Sequence, residues 1–177
     1  MRNYAVYSAF VRWGAPIILA GGALGTAGFW LGVERNVRAT FRQIGQRDYE
    51  TLLEQTAPSV LHVFPGDHAL GGTRHTRDGL RRWFERLFLL FPELRFEVKE
   101  VAVRSLPWNA TVMVQWENRG SAYDGQPYAN QGAHVLRLRR GRLIYLHEYL
   151  DSQRVAEVCR ELVEQGVSEA AAEPITD

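Results

Sequence analysis

The segment HVFPGDHALGGTRHTRDGLRRWFERLF, residues 62–88, holds the clearest structural signals in the sequence. It begins inside a short apolar strand, residues 59–64, which the turn at 65–67 ends. A glycine-rich loop then leads to Thr76, where a long amphipathic helix begins and continues until Pro92. Its apolar positions, three or four residues apart, are Leu80, Trp83, Phe84, Leu87, Phe88 and Phe91. The segment therefore predicts a strand, a loop and a helix that buries an aromatic face.

The regions on either side extend this pattern into an α+β fold. Before the segment, Val33, Val37, Phe41 and Ile44 follow a helical period, and Asp48 caps a second short helix. After it, four stretches rich in β-branched and aromatic residues predict strands at 94–103, 111–117, 129–139 and 143–150. A last amphipathic helix covers residues 152–165. The order predicts helices packed on one face of a bent sheet.

The N-terminal third contains a long uncharged run, WGAPIILAGGALGTAGFWLGV, from Trp13 to Val33. As a helix this run spans about 30 Å, the thickness of the hydrocarbon core of a bilayer. Its aromatic residues lie at the two ends, where membrane helices carry aromatic belts. We interpret it as a transmembrane helix, with a cleavable signal peptide and a buried core helix as the alternatives. More arginines follow the run than precede it, which favours a single-pass protein with its folded domain in the cytoplasm.

Four glycines of this run, Gly21, Gly25, Gly28 and Gly32, recur on one helical face. Small residues on one face of a membrane helix let another helix approach closely. The alternative is that glycine is simply tolerated in a membrane helix. If the face is used, the helix packs on a membrane protein complex as well as on lipid.

The overall composition excludes several classes of function. The formal net charge is +1, so no global field attracts nucleic acid. Lys99 is the only lysine among 21 basic residues, an imbalance that we attribute to a GC-rich bacterial genome. Cys159 is the only cysteine, and the sequence lacks zinc-ligand spacing, a nucleotide-binding glycine loop and a nucleophile elbow. We therefore expect no metal and no cofactor.

Two segments, residues 62–88 and VLRLRRGRLIYLHEYLD at 135–151, resemble the SnoaL-like group of the nuclear-transport-factor-2-like superfamily. The resemblance covers about residues 35–165. It implies a cone-shaped domain in which a curved mixed sheet packs on about three helices around a cavity. It also implies that a homodimer can form through the sheet. We divide the chain into an N-terminal tail (1–12), the transmembrane helix (13–33), a SnoaL-like domain (34–166) and a flexible tail (167–177).

The hairpin near the end of the domain carries the residues most suited to chemistry. A three-residue loop at 139–141 would pair Leu136 with Ile144 and would place His134 and Glu148 on the same apolar face. The resemblance makes that face the cavity wall, and it places Glu148 where enzymatic relatives have a cavity acid. A carboxylate and an imidazole together can move protons near neutral pH. The alternatives are that the two side chains only satisfy each other or contact a ligand.

We predict a ligand cavity built mainly from apolar side chains. Its residues are Leu61, Val63, Trp83, Leu136, Ile144, Leu146, Leu150 and His68. His62 and His75 are predicted to point outward, and Asp67 and His68 are expected mainly to cap a turn. Because Leu61 and Val63 leave the first strand without a polar inward side chain, the polar residues that enzymatic relatives place there are missing.

Two functions from different classes fit these observations. We favour a membrane-anchored accessory subunit of a larger complex, which uses a non-catalytic SnoaL-like domain. The alternative is an isomerase, hydrolase or binder of an apolar small molecule, with Glu148 as acid or base. A roomy cavity would favour the second function, whereas a cavity plugged by Trp83, Phe84 and Trp116 would favour the first.

Overall fold

The computed structural model describes residues 22–106 and 108–177 of the chain. Four α-helices are present in this part: α1 (Gly22–Gly45), α2 (Glu50–Glu54), α3 (Arg77–Leu90) and α4 (Ser152–Glu164). The side chain of Thr76 caps α3 by accepting a hydrogen bond from the Gly79 amide at 3.0 Å. Asp151 caps α4 in the same way, accepting from the Arg154 amide at 3.1 Å. Helices α3 and α4 therefore begin at residues whose side chains satisfy otherwise free amides. The N-cap of α2 is Tyr49, which makes no such hydrogen bond, so the predicted cap at Asp48 is not formed.

Six strands form one mixed sheet, so the predicted α+β class is confirmed. They are β1 (Thr56–Phe64), β2 (Gly72–Thr76), β3 (Arg95–Leu106), β4 (Asn109–Ser121), β5 (Pro127–Arg139) and β6 (Arg142–Leu150). Their order is β2-β1-β6-β5-β4-β3, with β1 parallel to β6 and all other neighbours antiparallel. The residues of β2 were predicted as loop, because only five residues pair there and they carry no apolar alternation.

The core lies between the helices and one face of this sheet. All four apolar positions of the helix predicted before segment 62–88 are buried, namely Val33, Val37, Phe41 and Ile44. The aromatic face of α3 is buried as well, with Trp83 2% exposed and Phe84 3% exposed. Burying each such side chain contributes about 1.5–3 kcal/mol relative to leaving it in water. The amphipathic periods read from the sequence are thus the surfaces that build the core.

The predicted transmembrane segment is not shown as a span. Within the described ranges, no helix is long and apolar enough to cross a membrane. Residues 13–21, including Gly21 of the predicted packing face, lie outside those ranges. Gly25, Gly28 and Gly32 belong to α1, and a Cβ added at Gly32 would meet no described atom within 4 Å. Val33, the last residue of the predicted span, packs in the domain core instead.

The predicted register of the β5–β6 hairpin is wrong. The loop has two residues, Arg140 and Gly141, both with positive φ (50° and 74°), which is the geometry of a type I′ turn. A register shift beside Leu138 leaves Ile144 as an extra residue on β6. Leu136 therefore pairs with Leu146 rather than with Ile144. Because of the bulge, a hairpin with a two-residue loop still has its apolar side chains on one face.

The predicted flexible tail, residues 167–177, is packed against the domain. Residues Ser168–Ala171 form a 3-10 turn in which Ala170 is buried. The Asp177 side chain accepts hydrogen bonds from the His75 amide and the Thr76 hydroxyl. Arg86 Nε donates to Glu169 at 2.6 Å. Asp177 and Glu169 of this tail are therefore partners of groups on or beside α3.

Candidate functional site

A cavity of about 60 Å³ lies between the inward face of the sheet and helices α1 and α3. Apolar side chains form most of its wall, among them Phe41, Trp83, Phe84 and Trp116. The polar side chains that reach it include His134, Glu148 and Asn118. A buried water molecule needs about 10–15 Å³ of such space, so the cavity admits a molecule of roughly four to six non-hydrogen atoms. The large aromatic side chains thus reduce the volume of the cavity but leave space for a small molecule.

Glu148 lies between two histidines at this wall. Its Oε1 is 2.9 Å from Nε2 of His62, and its Oε2 is 2.9 Å from Nε2 of His134. The contact with His62 is an aligned hydrogen bond, whereas His134 is within ion-pair distance without that alignment. Each carboxylate oxygen therefore faces a different imidazole. The three side chains come from β1, β5 and β6, and they form a buried cluster that we call the histidine–glutamate cluster.

The prediction that His62 points outward is wrong. On β1 the buried residues are Thr56, Val60, His62 and Phe64, and His62 is 0% exposed. Leu61 and Val63 lie on the other face and are only partly buried. Since both faces of this strand carry apolar residues, hydrophobic alternation could not decide which face is inward. A register shift between Ser59 and His62 adds to the irregularity.

The predicted cavity residues divide into two groups. Trp83, Leu136, Leu146, Leu150, His134 and Glu148 line the cavity. Leu61, Val63, Ile144 and His68 do not line it, because parity places the first two on the opposite face and the bulge displaces Ile144. His68 accepts a hydrogen bond from the Leu70 amide at 3.3 Å, consistent with the predicted turn cap. His75 is exposed, as predicted.

Opposing effects set the charge of the histidine–glutamate cluster. Burial raises the pKa of the Glu148 carboxyl, but the charge and contacts of His134 and His62 outweigh it and lower the pKa to about 2. Burial lowers the pKa of His62, which the hydrogen bond to Glu148 only partly opposes. Glu148 is thus held as a carboxylate inside an apolar cavity. A carboxylate flanked by two imidazoles on a cavity wall has the parts of an acid–base site.

Two further polar atoms near the cavity lack a partner. Among the described residues, neither Trp116 Nε1 nor Asn118 Oδ1 has a hydrogen bond, although both atoms are buried. Trp116 and Asn118 are neighbouring inward positions of β4 and both contribute to the wall. Buried polar groups are normally paired. These atoms are therefore suited to contact a polar group of a bound molecule or a water.

The cluster does not have the form of a metal site. Within the part of the chain that the structure describes, no group of three or more histidine, cysteine, aspartate or glutamate residues is arranged to hold a metal ion. The two imidazoles approach different oxygens of Glu148 instead of converging with it on one point.

Comparison with known proteins places this geometry in a family. The profile of the SnoaL-like domain matches residues 37–146. A comparison with curated proteins gives no match. An NTF2-like protein of unknown function from Burkholderia pseudomallei is 23% identical, with a TM-score of 0.62 over 71% of this chain and 95% of that chain.

Two solved structures with ligand-related descriptions have the same fold. A putative SnoaL-like polyketide cyclase from Jannaschia is 19% identical, with a TM-score of 0.57 over 71% of this chain and 89% of that chain. TerC, co-crystallised with polyporic acid, is 20% identical, with a TM-score of 0.56 over 71% of this chain and 95% of that chain. At these identities the likeness concerns the fold alone. The family profile, which spans more than half of the chain, shows that the protein belongs to the SnoaL-like domain family, with the NTF2-like fold.

Proposed function

We propose that the domain performs acid–base chemistry on a small neutral molecule, with Glu148 as the proton acceptor. The observation that carries the proposal is the buried carboxylate of Glu148 on the wall of an apolar cavity, held between His62 and His134. The discovery that His62 is inward removes the main objection raised by the sequence, namely that the first strand offers no polar inward residue. Two solved structures of this fold, described as a polyketide cyclase and as a complex with polyporic acid, support a small-molecule role.

The cavity also limits the class of substrate. Its volume of about 60 Å³ suits a compact molecule, and its wall is mostly apolar. An anionic substrate would meet the negative charge of Glu148 in a low-dielectric environment, which is costly. A neutral ketone presents an acceptor for a donor such as Trp116 Nε1 and an acidic α-proton for the carboxylate. Proton abstraction next to a carbonyl group is thus the reaction type that we propose.

Deuterium exchange provides the test. Full-length protein is incubated in D2O with 2-butanone, with cyclopentanone and with the anion pyruvate, and α-proton loss is followed by NMR. We expect the two ketones to exchange faster than in buffer, and we expect no acceleration for pyruvate. Glu148→Gln should reduce the acceleration by at least about 100-fold, since a general base contributes about 10²–10⁴.

Glu117→Gln is the matched control for this experiment. Glu117 is a carboxylate of the same sheet, but it is paired with Lys99 at 3.0 Å and does not line the cavity. It should exchange both ketones as fast as the wild type. Ketone exchange no faster than in buffer, or equal rates for wild type and Glu148→Gln, would exclude the proposed reaction.

A second proposal concerns anchoring, and the uncharged stretch 13–33 supports it. Leu31, within that stretch, is 68% exposed to solvent where α1 enters the domain. We propose that this stretch tethers the domain to a membrane, where it serves as an accessory subunit of a membrane complex. Full-length protein should then sediment with membranes and, after detergent extraction, migrate with other membrane proteins. Recovery in the supernatant without detergent would exclude the tether.

A homodimer through the sheet is a separate proposal. The outward face carries exposed apolar and aromatic side chains, with Met113 51% and Tyr149 52% exposed. Burying such side chains against a second copy would stabilise a dimer. Light scattering should give twice the monomer mass for the wild type and the monomer mass for Met113→Lys/Tyr149→Lys. A monomeric wild type would contradict it.

A further inference from the structure

Arg74 is a buried cation whose role neither the fold nor the proposed reaction has yet explained. It is 0% exposed, and among the described residues it forms no ion pair within 4.0 Å. Its guanidinium donates instead to backbone carbonyls, reaching Gly71 at 2.8 Å and Gly72 at 2.6 Å. A full positive charge in the interior is costly unless it interacts with other buried groups.

The glycine-rich loop has the backbone geometry needed to hold the Arg74 guanidinium. Gly72 has a φ of +95°, and a Cβ at Gly71 would approach the Gly66 carbonyl oxygen to 2.0 Å. Only glycine meets both conditions without strain. The carbonyl of Leu70 also accepts from Trp83 Nε1 at 2.9 Å. The glycine-rich loop thus fixes the guanidinium beside Trp83 of α3.

The neighbour of Arg74 across the sheet is His62. The two residues are direct partners in the β1–β2 register and are both fully buried. Trp83 contacts both of them, since its ring lies 5.7 Å from the guanidinium carbon and 4.6 Å, edge-on, from the His62 ring. The positive charge of Arg74 is therefore held on the same side of the sheet as the histidine–glutamate cluster.

The hydrogen bonds of His62 favour its neutral form. Its Nε2 reaches Glu148, but its Nδ1 is buried and has no partner among the described residues. A protonated ring would carry a second N–H there, and a buried unpaired donor on a charged group is strongly unfavourable. His134 differs, because its side chain retains 11% exposure and lies 2.9 Å from the other carboxylate oxygen.

We infer that Arg74 is a positioning residue for charge: its fixed positive charge, together with burial, keeps the adjacent His62 neutral. Any effect of a neutral His62 on catalysis depends on the proposed function. The assignment of a neutral charge to His62 does not. His62 then donates a fixed hydrogen bond to Oε1 of Glu148.

The electrostatic surroundings of His62 agree with this assignment. It is faced by Arg74 from β2, Glu148 from β6, His134 from β5 and the uncharged Trp83 from α3. Burial lowers the pKa of His62 most, and Arg74 and His134 lower it further against the opposing effect of Glu148. Burial lowers the pKa of Arg74 to about 10, which leaves it charged at neutral pH.

Histidine NMR tests the inference directly. In full-length protein labelled with ¹⁵N-histidine, two-bond correlations report the tautomer and charge of each ring between pH 5 and 8. His62→Gln and His134→Gln spectra assign the signals. We expect His62 to stay in its neutral, Nε2-protonated form throughout the range. A His62 that becomes charged in the wild type within this range would overturn the inference.

Variants of Arg74 sharpen the test. Arg74→Met removes the charge and should raise the titration midpoint of His62 by about one pH unit or more. Arg74→Lys restores a cation and should return the titration midpoint of His62 towards its wild-type value. Arg137→Met is the matched control, because Arg137 lies 4.8 Å over Tyr145 on the outward face of the same sheet. An Arg74→Met shift no larger than that of the control would also contradict the inference. If Arg74→Met does not fold, the same shift of the His62 midpoint is measured in Arg74→Gln, which removes the charge but keeps a donor for the loop carbonyls.

Discussion

Two adjacent residues of β6, His147 and Glu148, lie on opposite faces of the sheet and have opposite surroundings. On the outward face His147 is half-buried, stacks on Tyr149 at 4.2 Å, and contacts the Tyr145 hydroxyl at 3.0 Å. On the inward face Glu148 is 5% exposed and contacts two imidazoles. The outward histidine sits among aromatic rings that solvent reaches. The inward carboxylate sits in a wall that excludes solvent.

The difference shows that residue type alone does not make a reactive site. Histidines and aromatic residues occur on both faces of this sheet, so a list of residue types would not separate them. Only the inward face combines desolvation with a set of titratable groups in mutual contact, which is the condition that changes proton affinity. The outward face instead carries exposed apolar and aromatic side chains such as Met113 and Tyr149.

The largest difference in stability between variants should appear when one side chain is removed from each face of the sheet. Glu148→Ala leaves the Nε2 groups of His62 and His134 buried without their acceptor, so we expect the free energy of unfolding to fall by about 3–5 kcal/mol. Tyr149→Ala, one residue further and outward, should cost less than about 1 kcal/mol. Urea unfolding of both variants measures the contrast. Equal losses would show that the inward cluster is not a coupled unit.

Acidification should weaken the inward face selectively. The folded-state pKa of His62 is lowered from 6.5 and that of Glu148 from 4.5 to about 2. In both cases the unfolded chain binds more protons than the folded one, so stability rises with pH. Stability should therefore fall as the pH drops below about 6.5, by up to about 1.4 kcal/mol per pH unit for each group.

The Glu148→Gln variant separates the two contributions. It should lose the part of the slope below pH 4.5, which belongs to the carboxyl, and keep a slope below pH 6.5, which belongs to His62. Urea midpoints from pH 3 to 8 measure these profiles. A wild-type profile that is flat over this range would contradict the lowered pKa values.

A smaller effect is expected at the hairpin that sets which residues of β6 face inward. Arg140 has a φ of 50°, which is unfavourable for a long side chain, whereas Asn-Gly is the preferred sequence of a type I′ turn. Arg140→Asn should therefore raise the free energy of unfolding by about 0.5 kcal/mol. Thermal unfolding detects the gain. A loss of stability would show that the turn is not of this type.

Much of the architecture could be predicted from the sequence because long amphipathic periods specify it. The helix from Thr76 and the period through Val33 to Ile44 both bury the residues that the spacing indicates. The four strands that follow α3 also appear in the predicted order. The strand β2 could not be predicted, since its five residues pair at a sheet edge with no apolar alternation.

The site could be predicted only in part. His134 and Glu148 were placed on one face from β5–β6 alternation, and the structure brings them within 2.9 Å of each other. His62 was missed because Val60 and Phe64 on its face resemble Leu61 and Val63 on the other. Arg74 was missed because a buried arginine held by backbone carbonyls leaves no pattern in sequence. Its position next to the glycine pair 71–72 is the one signal that could have drawn attention to it.

The most direct measurement is the titration of Glu148 itself. Full-length protein labelled with ¹³C at the glutamate carboxyl carbons is followed by NMR from pH 2 to 7, and Glu148→Gln assigns the signal. The account predicts that Glu148 remains ionised at pH 4, where ordinary glutamates are already protonating, because its pKa is lowered to about 2. Protonation at or above the ordinary value of 4.5 would contradict a carboxylate held between two histidines.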